Sequence, residues 1–277
     1  MKSFNRILAA VSFVAVSFAL ATPGSAIGAE VKARWEVNYG NTECRLIRHF
    51  GATDQSFRLE VGKSWSFGGY DVRVIGGDMP VYSSATTITF AFGAPLISQR
   101  FETNPYMIID KNERAVGWND PGGLFISGLR QARYFRLTGP KKLDVALDLP
   151  NGSNAIKELE TCEDDLLARW GFDASEQRSL TTPVKPSNYP GRWVTSDDYP
   201  RVDLAGGNEG IATFLLNIDA EGSKTGCQIV ESSGFPTLDS RTCELLLKRA
   251  TFYPAMDKAG KAVPSFYVNR ILWQLPR

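Results

Sequence analysis

Few residues in this chain have the type and spacing to do covalent chemistry. There is one histidine, His49, so a serine or cysteine nucleophile activated by imidazole would have to use it. His49 falls in an apolar segment beside Cys44, where a residue is more often packed or at a strand edge than a general base. No HExxH, GxSxG, P-loop or GxGxxG run occurs. Glu163, Asp164 and Asp165 cluster on a helical stretch, and such runs are usually solvated faces. A glycosidase-type carboxylate pair depends on the fold rather than on sequence spacing, so that alternative stays open. The inventory reads as a non-enzyme with no catalytic residue and no cofactor.

The four cysteines, Cys44, Cys162, Cys227 and Cys243, are the remaining reactive groups. With no CxxC and a single histidine, a metal site is a poor reading, and structural disulfides in an oxidising compartment are the better one. Four cysteines allow three pairings. Cys44–Cys162 with Cys227–Cys243 keeps each bridge inside one domain.

The first thirty residues read as an address. Lys2 and Arg6 form a positive start, Ile7 to Ala21 are almost wholly apolar, and small residues follow at Gly24-Ser25-Ala26 and Gly28-Ala29. The apolar run is about fifteen residues, short of the roughly 20 a bilayer span needs. A cleaved signal peptide over residues 1–29 and a periplasmic location follow, with an uncleaved inner-membrane anchor as the competing reading. Formal charge is +1, and without Lys2 and Arg6 the balance is 29 basic against 30 acidic residues. That leaves no positive field for nucleic acid.

Elements must position whatever this chain uses. From Val31 to about Leu149 the pattern is strands: Arg34 to Tyr39 alternates, and further strands are expected at Cys44 to His49, Ser56 to Val61, Tyr70 to Ile75, Thr86 to Phe92, Tyr106 to Asp110 and Lys142 to Leu147. Gly, Pro, Asn and Asp separate them, which suggests an antiparallel sandwich. One short helix is expected within Gly123 to Phe135. A longer one should follow Asn151, with Ile156, Leu159, Cys162, Leu166 and Trp170 as its buried stripe. The fold class is therefore α+β, with a β-rich domain over residues 30–173, a Pro-containing linker over 174–198 and a second domain over 199–277. Trp193 is expected to pack on that second domain.

In the second domain, Ile211 to Asp219 and Lys224 to Glu231 form a hairpin around Ala220-Glu221-Gly222. Thr237 or Asp239 is expected to cap a helix running to about Ala250, with Cys243, Leu246, Leu247 and Ala250 on its buried side. A final strand spans Phe266 to Leu275. The run Asp198-Tyr199-Pro200, Glu209-Gly210, Asn217-Ile218-Asp219, Gly222, Cys227, Ser232-Ser233-Gly234, Leu238-Asp239, Cys243, Phe252-Tyr253-Pro254-Ala255, Gly260 and Ile271-Leu272-Trp273 resembles the TonB C-terminal domain. The resemblance covers about residues 199–276, over a quarter of the chain.

That resemblance implies a ββαβ fold that binds an extended segment of an envelope or outer-membrane protein, of the TonB-box type, by adding it as a strand to the edge of the last strand. Tyr267, Asn269, Arg270, Ile271 and Trp273 are the partner-binding candidates it points to, and proline at Asn269 or Ile271 is the corresponding block. An energy transducer of this family carries a histidine in its membrane anchor for the ExbB–ExbD motor and a long Pro-rich spacer. Residues 1–30 hold no histidine and the spacer is missing, so coupling to that motor is doubtful. A periplasmic binding module is the favoured reading. The alternatives are an anchored energy transducer for TonB-dependent transport, and a periplasmic hydrolase or ligand-binding domain docked by the TonB-like part.

Overall fold

In Leu143-Asp144-Val145-Ala146-Leu147-Asp148 every second side chain is buried, the signature of a strand with one face on a core and one in solvent. A computed structural model describes residues 34–51, 57–65, 68–76, 79–80, 82, 86–93, 97–103, 106–108 and 113–275. The leader expected over residues 1–29 lies outside them, as do residues 109–110 of the strand expected from Tyr106. None of the described helices is long and apolar enough to cross a membrane.

Among the described residues the chain runs through β1 (Trp35–Tyr39), β2 (Cys44–Phe50), β3 (Phe57–Lys63), β4 (Tyr70–Gly76), β5 (Thr86–Phe92), β6 (Ile97–Thr103), β7 (Tyr106–Ile108) and β8 (Glu113–Asp120). Helix α1 (Leu124–Gln131), β9 (Tyr134–Gly139), β10 (Leu143–Asp148) and α2 (Gly152–Arg169) follow. Two antiparallel sheets result, ordered β1-β2-β3-β4-β8-β7 and β10-β9-β5-β6. Register lines up Leu46, Val61, Val72 and Trp118 across four strands of the first sheet. It does the same for Phe90, Leu137 and Val145 in the second. The rows meet where Phe90 stacks on Trp118 at 5.6 Å, so this part is a β-sandwich.

Helix α1 starts where the buried Asp120 carboxylate accepts hydrogen bonds from the Leu124 and Phe125 N–H groups at 3.1 and 2.8 Å. Gly128 is required there: a Cβ on it would lie 2.2 Å from the Phe92 ring. Helix α2 buries Ile156, Leu159, Cys162 and Leu166, the expected stripe. Cys162 is bonded to Cys44 on β2, with Cα atoms 5.9 Å apart.

The stretch 174–198 contains α3 (Ala174–Ser179) and β11 (Lys185–Pro186). The Asp173 carboxylate caps α3 by accepting from the Glu176 N–H at 2.9 Å. Trp193 is 1 % exposed, in a cluster with Phe214, Phe252 and Tyr267. Then come α4 (Arg201–Gly206), β12 (Gly210–Ile218), β13 (Lys224–Glu231), α5 (Pro236–Arg249), β14 (Phe252–Tyr253), β15 (Ala255–Met256), β16 (Ala262–Val263) and β17 (Ser265–Trp273). Strand β11 pairs with β14, and β12 lies between β13 and β17 in an antiparallel sheet. The whole is α+β.

Two expectations for α5 are corrected. It begins at Pro236, and neither Thr237 nor Asp239 caps it. The Asp239 carboxylate instead accepts from the Ser233 N–H at 2.9 Å and from the Ser232 and Ser233 hydroxyls, which fixes the Ser232-Ser233-Gly234 corner. Leu247 is exposed, and Leu245 is buried in its place with Leu238, Thr242 and Leu246. The buried stripe is rotated toward that side, which leaves Cys243 on its flank to bond Cys227 of β13.

Candidate functional site at the edge of the last strand

Strand β17 alternates between two environments. Tyr267, Asn269, Ile271 and Trp273 face the α5 side of the sheet, and Phe266, Val268, Arg270 and Leu272 face the other. Tyr267 is buried against Trp193 at 5.8 Å and Phe252 at 5.1 Å, and its burial pushes the phenol pKa up. Trp273 is also buried; its indole N–H donates to the Thr242 hydroxyl at 2.9 Å and its ring meets Tyr199 at 5.2 Å. Ile271 is half-buried beside it. The side chains of Tyr267 and Trp273 therefore belong to the core, while Arg270 is exposed and Asn269 lies between the two conditions.

On the far face the β-sandwich covers the start of the strand. Phe266 packs on Trp65 at 5.6 Å, Trp170 at 5.5 Å and Phe172 at 4.8 Å, and Val268 and Leu215 join the sandwich core. Past Val268 the cover ends. Leu272 is 62 % exposed and its cross-strand neighbour Ile211 43 %.

The outer edge differs from both faces. Among the described residues β17 pairs with β12 alone. The Arg270 N–H donates at 2.8 Å to the Asn269 side-chain oxygen rather than to β12, so it points outward. Alternate residues of an antiparallel strand aim their N–H and C=O the same way, so Leu272 shares that direction. The Asn269 amide also donates to the Tyr267 hydroxyl at 2.8 Å, which holds its oxygen over the Arg270 N–H.

Beside this edge lies a cleft of about 420 Å³ between Asn269–Gln274 and the segment from Pro190 to Ser196, with Tyr199 also lining it. Asp198 pins that opposing wall. It accepts from the Thr195 N–H and hydroxyl at 2.9 Å each, and it pairs with Arg249 of α5 at 2.5 Å. The Arg249 hydrogen bond, against the cost of burial and with help from Thr195, holds the Asp198 carboxyl down to about 2. The Tyr199 hydroxyl donates to the Asn208 carbonyl, tying the same wall to the start of β12.

His49 is exposed on β2, remote in sequence from this edge. Among the described residues no three of His, Cys, Asp or Glu group as metal ligands.

A helix across one face of a three-stranded sheet, whose terminal strand pairs on one side only among the described residues, is the architecture of a small protein-interaction module. Residues 196–275 match the model of the Gram-negative bacterial TonB protein C-terminal, so this part of the chain is a TonB-type C-terminal domain. No curated protein matches the chain.

Proposed function

We propose that the chain is a periplasmic binding module that captures an extended segment of an envelope or outer-membrane protein by strand addition along Arg270–Leu272. The observation that carries this is the outward backbone of β17 facing a cleft with a fixed opposite wall. An incoming strand gains main-chain hydrogen bonds there, and Arg270, Ile271 and Leu272 offer its side chains charge and apolar contact. The family match and the two disulfides support an envelope setting. The proposal stops at capture and does not include force from an ExbB–ExbD motor.

Leu272→Pro tests it. Proline removes one outward N–H and leaves the bonds to β12 in place. Envelope proteins retained by the wild-type chain should be lost from the folded Leu272→Pro variant in a pull-down. Equal recovery counts against strand addition.

A further inference from the structure

A second cleft, of about 490 Å³, lies where the β-sandwich meets the C-terminal sheet. Trp65, Tyr70, Leu167, Leu180 and Phe266 give it an apolar and aromatic lining, and Glu163 of α2 lines it too. Glu163 is 3 % exposed, and one of its carboxyl oxygens has no hydrogen-bond partner among the described residues. The buried Trp65 indole N–H has none either.

The cations around Glu163 are engaged elsewhere. Arg178 pairs with Asp164 at 2.6 Å and donates to the Glu160 carbonyl at 2.8 Å. Arg130 pairs with Glu160 at 2.5 Å, and the Lys63 ammonium sits 4.7 Å from the centre of the Tyr70 ring. Burial pushes the Glu163 carboxyl up to about 7, with Lys63 and Arg178 opposing. An unpaired acid beside open space costs stability, and it is the arrangement expected where a ligand supplies the missing donors.

We propose that this cleft binds a small organic cation, a primary ammonium on an aromatic or aliphatic body, with Glu163 as its counter-ion and Trp65, Leu180 and Phe266 as the wall for the body. An ammonium brings donors and charge together, the stronger form of hydrogen bond to a carboxylate. An anion would meet Glu160 and Glu163, and a neutral alcohol would satisfy an oxygen without using its charge. Lys63, Arg178 and Lys185 also line the cleft, so the ammonium must seat against Glu163 and away from them. This site shares β17 with the strand-adding edge through Ser265 and Phe266, and it stands independently of that reading.

Benzylammonium, titrated calorimetrically into the full chain at pH 6 and pH 8, tests the site, with benzyl alcohol as the uncharged match. The groups facing Glu163 are Lys63 on β3, Tyr70 on β4, Glu160 and Asp164 on α2, and Arg178 on α3. Ionisation of a carboxyl near 7 should tighten benzylammonium binding about tenfold between the two pH values. Glu163→Gln should weaken it at pH 8 by about tenfold and flatten the pH dependence, and Lys63→Met, which removes a competing internal cation, should tighten it. Benzyl alcohol binding as well as benzylammonium overturns the proposal, as does an affinity that ignores Glu163→Gln. Should that variant not fold, a flat pH response in the wild type together with no gain in Lys63→Met overturns it equally.

Discussion

Asp198 holds three pieces of chain at once: its own turn through Thr195, helix α5 through Arg249, and, through the Arg249 bond to the Trp193 carbonyl at 3.0 Å, the segment that walls the edge cleft. Asp198→Asn removes the charge and leaves Arg249 facing a neutral amide, a loss of about 2 kcal/mol near pH 7. Because the folded carboxyl sits at about 2, below an unfolded value near ~3.9, its contribution is present above that unfolded value and fades as pH falls toward 2. Urea unfolding of wild type and variant should therefore differ at pH 7 and converge at low pH. Glu163 runs the other way. With its folded pKa raised to about 7, its neutral form stabilises the protein fully below about 4.3, and that benefit is lost as pH rises through 7. Glu163→Gln should match wild type at pH 4 and exceed it in stability at pH 8, by an amount on the order of 3 kcal/mol at most. A variant that is less stable than wild type at pH 8 would contradict this account of the buried acid.

At the scale of elements, β17 separates two kinds of substitution that look alike in sequence. Proline at Asn269 or Ile271, the positions that sequence alone suggests, strikes residues whose N–H groups alternate with the outward pair and so serve the β12 ladder. Those variants should lower the unfolding midpoint, whereas Leu272→Pro should leave it nearly unchanged and affect capture alone; circular dichroism melts distinguish them. The direction of a strand's backbone bonds depends on its register with β12, and nothing in a single sequence encodes that parity. Side-chain alternation along Tyr267, Ile271 and Trp273 was legible, since it depends only on period. Whether those residues turn toward a partner or toward α5 was not, because α5 and Trp193 meet them from parts of the chain distant in sequence. Strand β8 escaped the same reading for a related reason. Ala115, Val116, Gly117 and Trp118 are all buried, so the period-two signal is absent, and Asn119-Asp120 at its end read as the opening of a turn.

For the molecule as a whole, the two disulfides belong to different levels of organisation. Cys44–Cys162 spans 118 residues and ties the opening strands of the sandwich to its closing helix, whereas Cys227–Cys243 spans 16 and fastens β13 to α5. Chain entropy puts their contributions at about 4–5 and about 3 kcal/mol. Replacing either pair with alanine should lower the unfolding free energy by amounts in that order. The pairing was legible because it keeps each bridge inside one domain, although Cys243 sits on the flank of its helix's buried stripe and not at its centre. The packing of the sandwich on the C-terminal sheet through Trp65, Trp170 and Phe266 was not, since those aromatics lie in three segments with no shared pattern.

Strand addition places the partner's backbone on the outward amides of β17, and amide hydrogen exchange reads those groups directly. With a peptide copied from a captured envelope protein, the Arg270 and Leu272 amides should become protected while the exchange of Asn269 and Ile271 stays as it was. Protection that appears elsewhere, with Arg270 and Leu272 exchanging no more slowly in the saturated complex than in the free protein, would contradict capture at this edge.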